Sequence, residues 1–81
     1  MPQSVGGRNI SGPRIAEART SLDVPLTQDE LAGKLALLGV QIDRAAIAKI
    51  ESNRRRVLDY ELKAFAMVLG TTVEWLLGVD R

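Results

Sequence analysis

The sequence predicts an all-α domain, and three observations predict it. Apolar residues recur at helical spacing in five short segments, each bounded by a capping side chain, a proline or a glycine. No stretch alternates apolar and polar residues as a half-buried strand does, and β-branched residues do not cluster. With 81 residues the chain is sized for one hydrophobic core. A chain this short buries only roughly 60% of the surface its unfolded form exposes, so pairing with a second copy is already an expectation from size.

Residues 1–12 are rich in glycine and serine and read as a flexible arm, 13–78 as the domain, and 79–81 as a tail. Ser11 is placed to cap a first helix over Pro13 to Leu22, with proline tolerated in the opening turn and Ile15, Ala18 and Leu22 facing inward. Pro25 marks the following loop. Thr27-Gln28-Asp29-Glu30 has the spacing of a capping box. It opens a second helix with a Leu31, Leu35, Leu38 stripe that Gly39 stops. Gly39 to Ile42 is a connector, and Asp43 is placed to cap a third helix that turns Ile47 and Ile50 inward and ends near Ser52-Asn53. Asp59 is placed to cap a fourth, with Leu62, Phe65, Ala66 and Leu69 on one side and Gly70 at its end. Thr72 is placed to cap a fifth, Val73 to Leu77, closed by Gly78.

Composition excludes much chemistry. The chain has no cysteine and no histidine, which removes disulfides, thiolate nucleophiles, imidazole bases and nearly all zinc-site chemistry. Asp29, Glu30, Asp59 and Glu61 all fall at helix starts, where acids favour the macrodipole, so they read as caps and not as an acid-base pair. No phosphate-cradling glycine loop or metal-ligand cluster is present in the sequence. A non-enzymatic protein without metal or cofactor is therefore expected. No apolar run approaches the roughly 18 residues of a membrane span, so membrane insertion is not expected and a cytoplasmic, nucleoid-associated address is.

The net charge of +1 conceals a gradient. From Arg44 to Arg56 five basic residues (Arg44, Lys49, Arg54, Arg55, Arg56) stand against Glu51 alone, whereas Val57 to Asp80 holds four acids against Lys63. Projecting the third helix at about 100° per residue puts Ile47 and Ile50 on the buried side and Ala45, Ala48, Lys49 and Ser52 opposite, with Arg44 on their flank. A polar or small outward face on a helix anchored by isoleucines is what the major groove of B-DNA admits. Arg and Lys donate to guanine, and an alanine methyl packs on a thymine methyl.

Four segments then carry a resemblance: Leu26-Thr27-Gln28-Asp29-Glu30-Leu31-Ala32, Ala46 to Arg55, Tyr60-Glu61-Leu62, and Leu69-Gly70 with Glu74-Trp75-Leu76-Leu77. In this order they resemble the lambda-repressor-like (Cro/CI-type, XRE) helix-turn-helix proteins over about Arg14 to Gly78. The resemblance implies a compact five-helix DNA-binding domain acting in transcription regulation as a homodimer, with the helix-turn-helix between about Thr27 and Glu51. It implies that Gln28 anchors a phosphate from the start of the second helix. It also implies that Arg44, Ala45 and Lys49 read bases and that Arg54, Arg55 and Arg56 track the backbone. It further implies an ion pair between Arg19 and Glu51. One departure stands out: Ala36 to Ile42 is several residues longer than the usual short turn of the family, so either the second helix gains a turn or the connector bulges.

Trp75, the only tryptophan, projects away from Val73, Leu76 and Leu77. It is a candidate dimer contact with Met67; the competing expectation lays its ring over the domain's own edge. Arg8 and Arg14 are candidates to extend nucleic-acid contact through the arm. The alternative function is a protein-interaction module, such as an antitoxin or regulator subunit, that binds another protein through its C-terminal helices.

Overall fold

In the computed structural model, residues 10–79 are described; Arg8, most of the arm and the last two residues of the tail lie outside them. The described residues form five helices and no strand: α1 (Gly12–Thr20), α2 (Gln28–Leu37), α3 (Arg44–Glu51), α4 (Asp59–Leu69) and α5 (Val73–Leu76). The domain is all-α. α3 packs on α1 and α2, and α4 packs on α1, α2 and α5, so the core lies where the first four helices meet. Ile15, Leu31, Leu35, Ile47, Ile50, Phe65 and Leu76 are fully buried there.

α1 begins at Gly12, one residue inside the stretch assigned to the arm, and ends two residues before Leu22. Ser11 stands at its N-cap in a helical conformation and makes no side-chain capping bond. At the other end Ser21 donates its N–H to Glu17 O and Ala18 O, and the Leu26 N–H returns to Arg19 O at 3.3 Å, closing the loop around Pro25.

The capping box of α2 is complete. Thr27 Oγ1 accepts the Glu30 N–H at 3.0 Å, and Glu30 Oε1 accepts the Thr27 N–H at 2.8 Å. The far end corrects the sequence reading. Leu38 is 45% exposed and is not part of the inward stripe. The reason lies in Gly39, whose φ of +81° turns the chain back. The Gly39 N–H then bonds Ala36 O at 2.9 Å and the Val40 N–H bonds Leu35 O at 3.0 Å, the paired closure of a left-handed helix cap. Val40 thereby takes the buried place below Leu35 that Leu38 was expected to fill, and Ile42 follows it into the core. α2 ends at Leu37, and the connector that follows is anchored by the buried side chains of Val40 and Ile42.

Asp43 Oδ1 accepts the Ala46 N–H at 2.8 Å and starts α3. α3 closes in the same way as α2, with Asn53 at φ +65° and the Arg54 N–H on Lys49 O at 2.7 Å. Asparagine is among the few side-chain-bearing residues that enter the left-handed region readily. α4 brings a second correction. Its N-cap is Leu58, and Asp59 is its first helical residue. Leu58 has no acceptor, so capping falls to Glu61, whose Oε1 takes the Leu58 N–H at 2.9 Å. Thr72 Oγ1 accepts the Trp75 N–H at 3.0 Å to start α5, which ends one residue earlier than expected. No helix among the described residues is long and apolar enough to cross a membrane.

Candidate nucleic-acid interface

α3 presents two unlike faces. Ile47 and Ile50 are fully buried, while Arg44, Ala45 and Lys49 are exposed and Ala48 is half-buried between them. Ser52 is exposed at the C-cap, where its hydroxyl donates to Ala48 O at 2.9 Å and accepts from Arg54 Nε at 2.9 Å. This pair of bonds holds Arg54 close to the end of α3. Arg56 is exposed on the same loop. Arg44, Lys49, Arg54 and Arg56 are therefore four solvent-facing cations on one helix and the loop that follows it.

Behind this surface lies a polar tie. Arg19 donates Nε to Glu51 Oε2 at 2.8 Å and Nη2 to Glu51 Oε1 at 2.9 Å, and its Nη1 reaches Leu26 O at 2.8 Å. The fork geometry of a guanidinium matches a carboxylate in this way and makes such a pair among the stronger ones. The hydrogen bonds Arg19 donates to Glu51 raise its pKa further above its ordinary value, against the opposing effect of burial. Gln28 joins the same carboxylate, donating Nε2 to Glu51 Oε1 at 3.0 Å. The start of α2, the end of α3 and α1 thus meet on one glutamate.

Gln28 is consequently half-buried and turned toward Glu51, not extended into solvent. Its position made this legible: Gln28, Leu31 and Leu35 fall at i, i+3 and i+7, so Gln28 shares the inward stripe of α2.

Arg55 is set apart from its neighbours. It grips Glu61 with Nη1 and Nη2 at 3.2 Å to the two carboxylate oxygens and donates Nη1 to Arg56 O at 2.8 Å. Glu61 itself is only 2% exposed. Burial pushes its carboxyl up, but the Arg55 hydrogen bonds, the Leu58 amide and the Arg55 charge outweigh this and leave its pKa below the ordinary glutamate value. Sequence reasoning took Arg55 as one of three equivalent loop arginines and missed the pair. The signal lay in α4, where Glu61, Phe65 and Leu69 fall at i, i+4 and i+8, placing an acid on the apolar stripe that needs a cation.

Trp75 is half-buried against the core, and the Arg14 guanidinium lies 4.6 Å from its ring centroid while Arg14 Nη1 donates to Trp75 O at 3.1 Å. The indole rests on the domain's own edge and ties α1 to α5. Met67 is exposed on α4 and lines a different surface hollow from that of Trp75.

The chain matches no family model and no curated protein. The lambda-repressor-like resemblance thus rests on the residues quoted above.

Proposed function

We propose that this chain binds double-stranded DNA in a sequence-specific manner through a helix-turn-helix made of α2 and α3, and that it regulates transcription as a homodimer. One observation carries the reading. The outward face of α3 joins exposed Arg44, Ala45 and Lys49 to the exposed Arg54 and Arg56 of the next loop, while its inward face is locked by Ile47 and Ile50. A helix so anchored presents donors and methyl groups at the width of the major groove. In this reading Arg44 and Lys49 read base edges, Ala45 and the half-exposed Ala48 pack on thymine methyls, and Arg54 and Arg56 neutralise phosphates. Ser52 orients Arg54. Gln28 and Arg55 hold the helices in place, and Arg19 and Glu51 fix the angle between α1 and α3.

The alternative, a module that binds another protein, draws on a different observation: large apolar side chains exposed on α2 and α4, including Leu37 and Met67. Selection of binding sites from a randomised duplex pool separates the two. The DNA reading expects enrichment of a site with twofold symmetry, its half-sites about one helical turn apart. A pool that remains random after repeated rounds contradicts it.

A further inference from the structure

The loop between α1 and α2, the C-terminal end of α2 and the adjoining side of α4 form an apolar groove of about 580 Å³, with Leu22, Leu38, Met67 and Val68 among its walls. Leu37 lines it while 85% exposed, and Met67 while 61% exposed. Tyr60 and Lys63 continue the surface in an adjoining hollow that Leu38 and Met67 also line. We propose that this face binds an acidic amphipathic helix of another protein, whose apolar stripe enters the groove while its carboxylates meet Lys34 and Lys63. The proposal deepens the protein-binding alternative, on which it rests for the use of these exposed apolar side chains as a contact, by naming the face and the partner's chemistry.

Charge selects the sign of the partner. Lys34 lines the groove and Lys63 the adjoining hollow, and neither lining contains an acidic residue. Asp23, exposed on the loop between α1 and α2, lies outside both. Each lysine follows an acid by four residues on its own helix, the spacing at which such pairs meet. Here both acids are engaged elsewhere. Glu30 Oε1 accepts the Thr27 N–H at 2.8 Å, and Asp59 Oδ1 accepts the Tyr60 N–H at 2.6 Å. Neither lysine forms an ion pair with a described residue. Two ammonium groups so placed beside an apolar hollow attract carboxylates and repel a basic segment.

Backbone selects the partner's conformation. The described residues form no strand, so they offer no sheet edge to an extended peptide. Tyr60 is the one aromatic side chain in either lining, too little for the aromatic groove that grips a proline-rich segment. Neither lining holds the clustered arginines that recognise a phosphorylated one. The remaining mode lays a helix in the groove, with apolar anchors at i, i+3 or i+4, and i+7. Met67 suits it, because an unbranched thioether adapts to anchors of different shape. No residue of α3 lines either hollow, so an occupied groove leaves Arg44, Ala45 and Lys49 uncovered.

Fluorescence anisotropy on the full 81-residue chain tests the proposal with two labelled synthetic helices. Each has about 15 residues and leucines at the anchor spacing; one carries glutamates on its flanks, and the other lysines at the same positions. The expected result is saturable binding of the acidic helix, about tenfold or more tighter than of the basic one. Leu37→Glu and the Lys34→Glu, Lys63→Glu double variant should each weaken it about tenfold. All three side chains are exposed, so these variants are expected to keep the wild-type circular dichroism spectrum. Arg44→Ala and Lys49→Ala, on the cationic face of α3, should leave the affinity unchanged. Binding that is lost in the α3 variants instead, or that survives both groove variants, overturns the proposal. So does a wild-type dimer in sedimentation velocity that Leu37→Glu dissociates, since a second copy then covers the groove. A basic helix held by this face as tightly as the acidic one sinks the acidic partner and keeps the protein-binding reading, whereas failure of both helices to bind sinks the two together.

Discussion

Glu51 holds three helices together through two side chains, Arg19 and Gln28, and little water reaches it. Replacing it leaves the Arg19 guanidinium in a largely enclosed site without its counter-charge. Glu51→Ala is therefore expected to cost about 3 kcal/mol, read as a lower urea midpoint at unchanged slope. A loss no larger than that of an ordinary surface substitution would show that the tie is ornamental. Glu61 gives a prediction in pH. Its pKa is lower in the folded chain than in the unfolded chain, so folding releases protons near the carboxylate range. The stabilisation from the Arg55–Glu61 pair is full above the unfolded value of about 4.3 and is lost as pH falls through the lower folded value. Wild-type stability should then decline between about pH 5 and pH 3 more steeply than that of an Arg55→Met, Glu61→Leu double variant. Equal slopes in urea titrations at each pH would remove the pair from the acid response. The exposed cations Arg44, Lys49, Arg54 and Arg56 were legible from helical projection and charge pattern. The inward turns of Gln28 and Arg55 were passed over, because both sit where charge pattern suggests solvent and only stripe position, Gln28 with Leu31 and Glu61 with Phe65, shows otherwise.

At the scale of the elements, α2 and its connector set where α3 stands. Two glycines of this region predict opposite effects. Gly39 holds φ at +81°, and a Cβ there would meet no atom within 4 Å, so the penalty for Gly39→Ala is backbone strain alone, about 1 kcal/mol. Gly33 lies inside α2 in equally open space, and Gly33→Ala should stabilise by about 0.5–1 kcal/mol because alanine loses less freedom on entering a helix. Thermal melts of the two variants should therefore move in opposite directions; a shared direction would contradict the assigned backbone. The caps at Thr27, Asp43 and Thr72 were readable because a hydroxyl or carboxylate before an apolar run has one favourable use. The start of α4 was not. Asp59 has the right side chain for a cap, but Glu61, two residues on, reaches back to the Leu58 amide from a buried position and fixes the boundary one residue earlier. The outward turn of Leu38 was hidden for a related reason. Periodicity continues through a sequence until a left-handed residue breaks it, and Gly39 hands the buried place to Val40.

For the molecule as a whole, a net charge of +1 describes neither of its sides. Four exposed cations, Arg44, Lys49, Arg54 and Arg56, gather on α3 and the loop after it, whereas an apolar groove bordered by Lys34 lies between α2 and α4. The four exposed cations should make affinity fall with salt, and removing a phosphate contact through Arg56→Ala should lower the slope of log K against log salt by about 0.9. Arg55→Ala, by contrast, should act first on stability through the loss of Glu61's partner. Fluorescence anisotropy of a labelled duplex enriched from a random pool, set against a scrambled duplex of the same length and composition, tests the central claim most directly. Wild-type protein should prefer the enriched duplex, and Lys49→Ala should bring the two affinities together while leaving the fold intact. Equal binding of both duplexes by the wild-type chain, or a preference that survives Lys49→Ala and Arg44→Ala unchanged, would contradict the account.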